Sequence, residues 1–398
     1  MDRHELTDRV KRRLRRAPPP LDESAFAAHA AVAELARHGP APLTPPAHDG
    51  TSGPLEVAIV IPWFPRGGGG HATIFNLVRG LEARGHRCSI WMDDPTGRHA
   101  DLPDDGAVGR ALRREFGDVA APIRRGFDAW RGAEVVLATS WPTAYRVQLL
   151  ERCGARAYLV QDHEPEFHAT SAEAIWAAAT YRAGFHCIAA SRWLAALLRD
   201  EYGASVSHFD LGIDHGRYSA GPGRSERALR VLFYARPSTP RRAVPLGLFA
   251  LAELHRRRPG VELELFGSRA EVPTPFPSRQ LGLLSADELA AAYRGATTGM
   301  VLSLTNPSLV PQEMLACGLP CVDVDRPSTR SEWGPSDAVE LAAFDPAAIA
   351  DALERLLDQR ELWERRSAAG VAWAAGRTWP RAAAQVEAGL RAAFPARR

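Results

Sequence analysis

The sequence predicts an α/β protein with two doubly wound, Rossmann-like domains that face each other across a cleft, preceded by an N-terminal helical extension. Three observations lead to this prediction. From Val57 onward, short apolar runs of strand length alternate with amphipathic helical segments, which is typical of parallel sheets. The alternation occurs in two series that meet near residue 216. A chain of 398 residues, 45% of them apolar, is long enough to bury two cores.

Charge and cysteine content limit the classes of function. A net charge of +2 gives no electrostatic reason to expect a nucleic-acid partner, so none is predicted. Lys11 is the only lysine, so a site for an anion must use arginines or helix termini. The cysteines form no C-x-x-C pair, which predicts buried free thiols and a reducing, cytosolic compartment. No run approaches the roughly 18 apolar residues of a membrane span, and residues 1–30 lack a signal-peptide core.

Residues 1–53 are predicted to form the helical extension and its linker. The first helix is basic and carries a narrow apolar stripe of Leu6, Val10 and Leu14. We expect it to lie against the body of the protein or in solvent, and a surface of anionic lipid is the alternative partner. A second, Ala-rich helix is predicted over residues 23–38, followed by a Pro/Gly-rich linker.

Residues 54–215 are predicted to form the first Rossmann-like domain. The helix after its first strand carries four apolar residues on one face and ends at Gly85. The first strand candidate, residues 57–61, is a continuous apolar run, as expected for a strand buried on both faces. The further candidates cover residues 88–92, 134–138, 157–161, 186–190 and 205–209.

Residues 216–378 are predicted to form the second domain, with a linker at its start. Its strand candidates cover residues 230–234, 261–266, 299–304, 319–324 and 338–341. A helical pattern begins near Pro346, and residues 379–398 form a separate closing helix.

A short helix in the second series places a carboxylate at its start. Pro311 suits the first helical position, and Gly318 suits the stop, where a positive φ is tolerated. Glu313 would then lie in the first turn, at the carboxyl ends of the strands, where open α/β sheets bind ligands. The alternative is that Glu313 only complements the helix dipole.

Two arginines follow the first strand of the second series. Arg236 comes just after the strand, and Arg242 lies six residues further on at a predicted helix start. Guanidinium groups can bind phosphate oxygens in a bidentate manner, so the pair is a candidate phosphate site. In so Arg-rich a chain, solvated surface arginines are the alternative.

Three titratable side chains, Asp162, His163 and Glu164, follow a predicted strand of the first series. A carboxylate in this place could position or deprotonate a hydroxyl group. A salt-bridged loop is the equally weighted alternative.

The glycine run of Gly67, Gly68, Gly69 and Gly70 lies between a strand and a helix. Such a loop lets backbone N–H groups approach an anion. The spacing is not G-x-G-x-x-G, which argues against a dinucleotide site. We expect the loop to contact ligand in the cleft, and a plain flexible loop is the alternative.

Two segments resemble known glycosyltransferases. The run from Glu313 to Val322, EMLACGLPCV, resembles the nucleotide-sugar segment of retaining family 4 glycosyltransferases, which have the GT-B fold. The run QDHEP from Gln161 resembles the glutamine-aspartate-tyrosine-glutamate-proline run of WsaF-type rhamnosyltransferases, with His163 in place of tyrosine. Thr305 stands where family 4 has its first glutamate, a departure that the WsaF-type subgroup shares.

The resemblance implies a donor site in the second domain and an acceptor site in the first, with the closing helix returning to the first domain. Glu313 matches the glutamate that holds the ribose hydroxyls of the donor. Arg236 and Arg242 match the basic pair that clamps its diphosphate, with Arg241 as the other candidate for the second position. Leu283, Thr305 and Asn306 complete the donor set, and Asp162, His163 and Glu164 form the catalytic set.

The implied reaction transfers a sugar from a nucleotide-sugar donor, in the subgroup dTDP-rhamnose, to a saccharide or lipid-linked hydroxyl during cell-surface polysaccharide synthesis. No cofactor and no metal are expected. Asp323 and Asp325 form a D-x-D sequence, but no supporting ligand lies near them in the chain. A non-catalytic nucleotide-sugar-binding subunit and a nucleotide-sugar epimerase are the alternative functions.

Overall fold

The computed structural model describes residues 23–44, 52–64 and 68–394. The basic segment 1–16 and Gly67 therefore lie outside the described residues. The described chain forms two parallel sheets with helices on their faces, as predicted. No helix in these ranges is long and apolar enough to cross a membrane.

The extension forms two short helices where one was predicted. They are α1 (Glu23–Ala28) and α2 (Ala30–His38), separated at His29. The His29 ring stacks on Trp141 and packs against Trp176 of the first domain, with ring centroids 5.9 and 4.9 Å apart. These contacts fix the chain at the break between the two helices.

The first sheet has seven strands in the order β3-β2-β1-β4-β5-β6-β7. Its strands are β1 (Glu56–Pro62), β2 (Arg87–Asp93), β3 (Ile123–Arg125), β4 (Ala133–Ala138), β5 (Cys153–Val160), β6 (His186–Ala189) and β7 (Ser205–His208). The helices between them are α3 (Gly69–Ala83), α4 (Asp105–Phe116), α5 (Trp141–Leu149), α6 (Ala172–Thr180) and α7 (Arg192–Tyr202). All neighbouring strands are parallel, so their carboxyl ends meet at one edge.

The second sheet has six parallel strands in the order β10-β9-β8-β11-β12-β13. Its strands are β8 (Ala228–Tyr234), β9 (Glu262–Phe266), β10 (Arg279–Gly282), β11 (Ala296–Met300), β12 (Cys321–Val324) and β13 (Val339–Ala342). Its helices are α8 (Val244–Arg257), α9 (Ala286–Gly295), α10 (Leu309–Ala316), α11 (Pro327–Trp333), α12 (Pro346–Asp358) and α13 (Arg360–Ala375), and the closing helix is α14 (Trp379–Ala392).

Three details differ from the sequence-based expectation. The edge strands β3 and β10 were not predicted, because they are short and lack a continuous apolar run. The strand predicted over residues 299–304 ends at Met300. Beyond it the chain leaves the sheet, and the Leu304 amide donates to the Arg241 carbonyl at 3.1 Å.

Each sheet is covered by apolar clusters on both faces. Those of the first sheet include Ile59 and Val60, which point to opposite sides of β1. Those of the second include Phe233 and Leu232 of β8. All five cysteines are buried and free, as predicted. Burial on both faces explains why a central strand such as β1 contains a continuous apolar run.

The chain passes between the two domains twice, and the passages lie side by side. Ile213 and Thr378 form a parallel bridge between them. Arg377 lies at this point and pairs with Asp210 of the first domain at 3.5 Å and with Glu332 of the second at 2.6 Å. Helix α14 then packs against α3, β6 and β7.

We expect Leu390→Ala in α14 to destabilise the first domain, because Leu390 is fully buried in that domain's core. A cavity at such a site costs about 2–5 kcal/mol in the free energy of unfolding, measurable by chemical denaturation. Leu43→Ala is the control, since Leu43 is 43% exposed. Equal losses for both variants would contradict the packing of α14.

Candidate active site at the domain interface

The carboxyl ends of the two sheets face each other, and the Asp162 carboxylate lies between them. Asp162 follows β5 and is only 7% exposed. Its Oδ1 accepts hydrogen bonds from the backbone N–H groups of His163 and Asn306, both at 2.9 Å. Its Oδ2 accepts from the Thr305 hydroxyl at 3.0 Å and lies 3.0 Å from Arg241 Nε. One carboxylate of the first domain therefore contacts three residues of the second.

Asn306 strengthens the same contact with its side chain. Its Nδ2 donates to the carbonyl oxygens of Gln161 and Ala190, at 3.1 and 3.2 Å. Its Oδ1 accepts from the Ser191 hydroxyl at 2.7 Å. The structure thus places Asn306 and Thr305, both in the predicted donor set, at the domain interface with their polar side-chain atoms engaged by the first domain.

The two predicted phosphate arginines have different surroundings. Arg236 is half-buried just beyond β8. Arg242 is only 5% exposed and donates to the Ser303 hydroxyl at 3.2 Å, beneath the cleft. Its neighbour Arg241 points across the cleft instead, toward Asp162. The spacing in sequence could not decide between these adjacent arginines, and the geometry favours Arg241 as the partner of Arg236.

The D-x-D sequence does not present a pair of free carboxylates. Asp323 is fully buried, and its Oδ1 accepts from the backbone N–H groups of Ser303 and Val324 at 2.7 and 2.8 Å. Burial raises the pKa of Asp323 to about 7, against the lowering effect of these donors. Asp325 forms an ion pair with Arg330 at the surface. Among the described residues, no cluster of three His, Cys, Asp or Glu side chains could hold a metal ion.

Glu313 lies in the short helix α10. The helix begins at Leu309, two residues earlier than predicted, so Pro311 is the third helical residue. Glu313 is therefore the fifth residue and lies beyond the first turn, whereas it was predicted within that turn. Gly318 has a φ of 65°, in the left-handed region expected for the helix stop. Glu313 itself is half-buried, and desolvation raises the pKa of its carboxyl to about 8. The neighbouring phenols of Tyr218 and Tyr293 act in the opposite direction.

The other two residues of the predicted catalytic set are held inside the first domain. Glu164 accepts at one oxygen from the Tyr158 hydroxyl at 2.6 Å and at the other from the Trp141 backbone N–H at 2.7 Å. Burial raises the pKa of Glu164 to about 7. His163 Nε2 lies 2.7 Å from the Tyr202 hydroxyl. The hydrogen-bond partners of both side chains belong to the first domain, which is a positioning arrangement.

The glycine loop reaches the same cleft. Gly68 caps α3, and Gly69 and Gly70 form its first exposed turn. The Gly70 carbonyl accepts from Gln161 Nε2 at 3.2 Å, one residue before Asp162. Leu283, predicted to contact the donor, follows β10 and is 45% exposed.

Some residues of the interface were not predicted from the sequence. Gln161, Ala190 and Ser191 carry the first domain's contacts to Asn306, and Arg241 was named only as an alternative to its neighbour. Their one shared signal is position, since each lies at or beyond the end of a predicted parallel strand and such strand ends meet at one edge.

Comparisons with known proteins agree with this architecture. Residues 229–354 match the family described as WsaF, C-terminal domain. The chain is 32% identical over 314 residues to the O-antigen biosynthesis protein RfbC of Myxococcus xanthus, a match that covers 75% of this chain and 24% of that protein. The chain thus spans about a quarter of the length of this curated relative.

Solved structures share the fold. HepE of Anabaena in complex with UDP superposes with a TM-score of 0.64 at 12% identity, over 85% of this chain and 100% of that chain. The chain is a GT-B protein that resembles WsaF-type glycosyltransferases. Sucrose-phosphate synthase from Thermosynechococcus elongatus gives a TM-score of 0.63 at 16% identity, over 85% of this chain and 98% of that chain. At these identities the superpositions establish the fold alone.

We expect the substitution Glu313→Gln to stabilise the ligand-free protein more at about pH 8 than at about pH 5. The folded chain keeps a proton on Glu313 up to about pH 8, whereas the group's ordinary pKa is 4.5. Between these values the folded state binds more protons than the unfolded state, so this carboxyl's contribution to stability falls as the pH rises. The measurement is the difference in Tm between variant and native protein across this range.

The control is Glu253→Gln. Hydrogen bonds from Arg256 and Arg257 lower the pKa of Glu253 to about 2, so its Tm difference should be constant over the same range. A constant difference for Glu313→Gln would show that the Glu313 carboxyl is already charged in the folded protein.

Proposed function

We propose that the protein is a glycosyltransferase that moves a sugar from a nucleoside diphosphate to a hydroxyl group of a saccharide or lipid-linked acceptor, in the synthesis of a cell-surface polysaccharide. One observation carries the proposal: Arg241 of the second domain pairs with the Asp162 carboxylate of the first at 3.0 Å, and half-buried Arg236 lies just beyond β8 of the same domain. Basic groups that can neutralise a diphosphate and a carboxylate that can accept a proton thus border the same cleft.

In this proposal the second domain binds the donor. Arg236 and Arg241 contact the diphosphate, and their charges stabilise it as it leaves. Glu313 binds the ribose hydroxyls, and exposed Leu283 contacts the base. Buried Arg242 supports the site by donating a hydrogen bond to the Ser303 hydroxyl. The likeness to the WsaF family and the UDP bound to HepE both support a nucleotide-sugar donor.

The first domain binds the acceptor. A lone pair of the acceptor hydroxyl attacks the anomeric carbon, the bond from that carbon to the phosphate oxygen breaks, and the electron pair stays on the diphosphate. The hydroxyl proton passes to Asp162, while His163 and Glu164 hold the loop that carries it. The exposed turn of Gly69 and Gly70 borders the path between donor and acceptor.

The finer parts of the proposal are a dTDP-rhamnose donor and a cytoplasmic location, peripheral at the inner face of the membrane. The resemblance to WsaF-type rhamnosyltransferases supports the donor. The match to an O-antigen biosynthesis protein supports a role in surface polysaccharide synthesis.

The direct test is to incubate the purified chain with dTDP-rhamnose, UDP-glucose and GDP-mannose and to measure release of each nucleoside diphosphate, with and without a lipid-linked saccharide. Turnover of one donor, accelerated by the acceptor, is expected. Interconversion of the free sugar nucleotide without release would show an epimerase instead.

One observation favours a second candidate, a non-catalytic nucleotide-sugar-binding subunit. Asp162 accepts hydrogen bonds from His163, Asn306 and Thr305 and forms an ion pair with Arg241, which is a structural role in the contact between the domains. Tight binding of one donor with no release of diphosphate under any acceptor condition would support this candidate.

We expect Arg236→Ala to weaken nucleoside diphosphate binding about ten- to a hundredfold, because it removes a charge-assisted contact worth about 1.5–3 kcal/mol. Isothermal titration calorimetry with dTDP and UDP measures the change. Arg242→Ala should instead lower the Tm, since Arg242 is buried. Arg258→Ala, at the far end of α8, is the matched surface control. Unchanged affinity in Arg236→Ala would remove this arginine from the site.

A further inference from the structure

Both oxygens of the Asp162 carboxylate are engaged by protein groups. Oδ1 accepts hydrogen bonds from two backbone N–H groups, and Oδ2 accepts one from the Thr305 hydroxyl. Oδ2 is also paired with the Arg241 guanidinium, whose Nε lies 3.0 Å away. A substrate hydroxyl that is to reach Oδ2 must take the place of this guanidinium.

The three hydrogen-bond donors to Asp162 are fixed by the fold. Two are main-chain amides, and Thr305 is only 2% exposed. Arg241 is different, because 27% of its side chain is exposed. Its Nε lies 3.0 Å from Asp162 Oδ2 but is not aligned to make a hydrogen bond. Arg241 is therefore the partner that can leave most easily.

Arg241 is also placed to take a second partner. It lies in the turn between β8 and α8, where its carbonyl accepts from the Leu304 amide, so its backbone is tied to the strand ends of the second sheet. Its guanidinium lies 4.0 Å over the ring of Phe167, which leaves the edge with its N–H groups available in the plane. A planar fork of donors matches phosphate oxygens well.

We infer that Arg241 is an exchange residue that leaves Asp162 for the diphosphate of the bound donor, and so frees Oδ2 to receive the acceptor hydroxyl. The inference rests on the proposed function and adds an order of binding to it, in which the donor binds before the acceptor. No bond forms or breaks in the exchange itself. In the transfer that follows, the hydroxyl proton moves to Oδ2, and the electron pair of the broken bond stays on the diphosphate beside Arg241.

Substituting a residue of a binding site usually weakens ligand binding, but the exchange predicts the opposite for Asp162. In the proposed exchange, Asp162 and the diphosphate compete for Arg241. Removing the Asp162 charge should therefore improve diphosphate binding. A nucleoside monophosphate, which lacks the second phosphate, should not gain.

The test is calorimetric titration of the full chain with dTDP, UDP and the corresponding monophosphates, for the native protein, Asp162→Asn, Arg241→Gln and the double variant. We expect Asp162→Asn to bind the diphosphate at least about threefold more tightly, since a partly exposed ion pair no longer has to be broken. Arg241→Gln should bind it about tenfold more weakly. In the double variant the gain from Asp162→Asn should disappear.

Unchanged or weaker diphosphate binding by folded Asp162→Asn overturns the inference. An equal gain in affinity for the monophosphate also overturns it, because that result would indicate a cleft that has become less tightly packed. Asp358→Asn is the matched control, because Asp358 pairs with Arg258 at the opposite end of α8, about 20 Å from Arg241. If Asp162→Asn does not fold, Asp162→Ser replaces it with the same expected outcomes. If the native protein binds no nucleotide, the proposed function itself fails; normal binding with no gain overturns the exchange alone.

Discussion

The contact between Asp162 and the second domain is the interaction on which the arrangement of the cleft depends. Two α/β domains joined by two chain passages could adopt many relative orientations, and inter-domain interfaces are usually polar and mobile. Here one buried carboxylate collects two donors from the loop after β11 and lies beside a third group after β8. Asn306 returns three hydrogen bonds to the strand ends of the first sheet. The two strand edges that carry the chemistry are therefore held face to face.

The pair of Asp162 and Arg241 joins a buried carboxylate to a partly exposed guanidinium. While Arg241 stays with Asp162, the charge of each is balanced and the cost of burying them is offset. In the exchange that we propose, a diphosphate supplies a stronger partner for the arginine, and the carboxylate is exposed to the cleft. The same contact would then hold the domains together and keep the proposed proton acceptor engaged until the donor is in place.

The sequence predicted the fold well because parallel strands buried on both faces give apolar runs, and the helices between them are amphipathic. It missed β3 and β10, because edge strands need no such run. The candidate site residues were chosen by position and resemblance; Arg236 and Asp162 follow strands at the expected edge, and Glu313 lies in the helix that comes after β11. The hydrogen bond between Asp162 and Asn306 could not be predicted, because these residues lie 144 positions apart and have no local signal. The sequence also could not predict which of Arg241 and Arg242 points into the cleft, because this depends on the conformation of the turn before α8.

The most direct test of this account is a crystal structure of the protein with a bound nucleoside diphosphate. The account predicts the diphosphate against Arg236 and Arg241, with Asp162 Oδ2 no longer paired to Arg241 and the ribose within hydrogen-bonding distance of Glu313. A nucleotide bound instead at the turn of Gly69 and Gly70 in the first domain, with the pair of Asp162 and Arg241 intact, would contradict it.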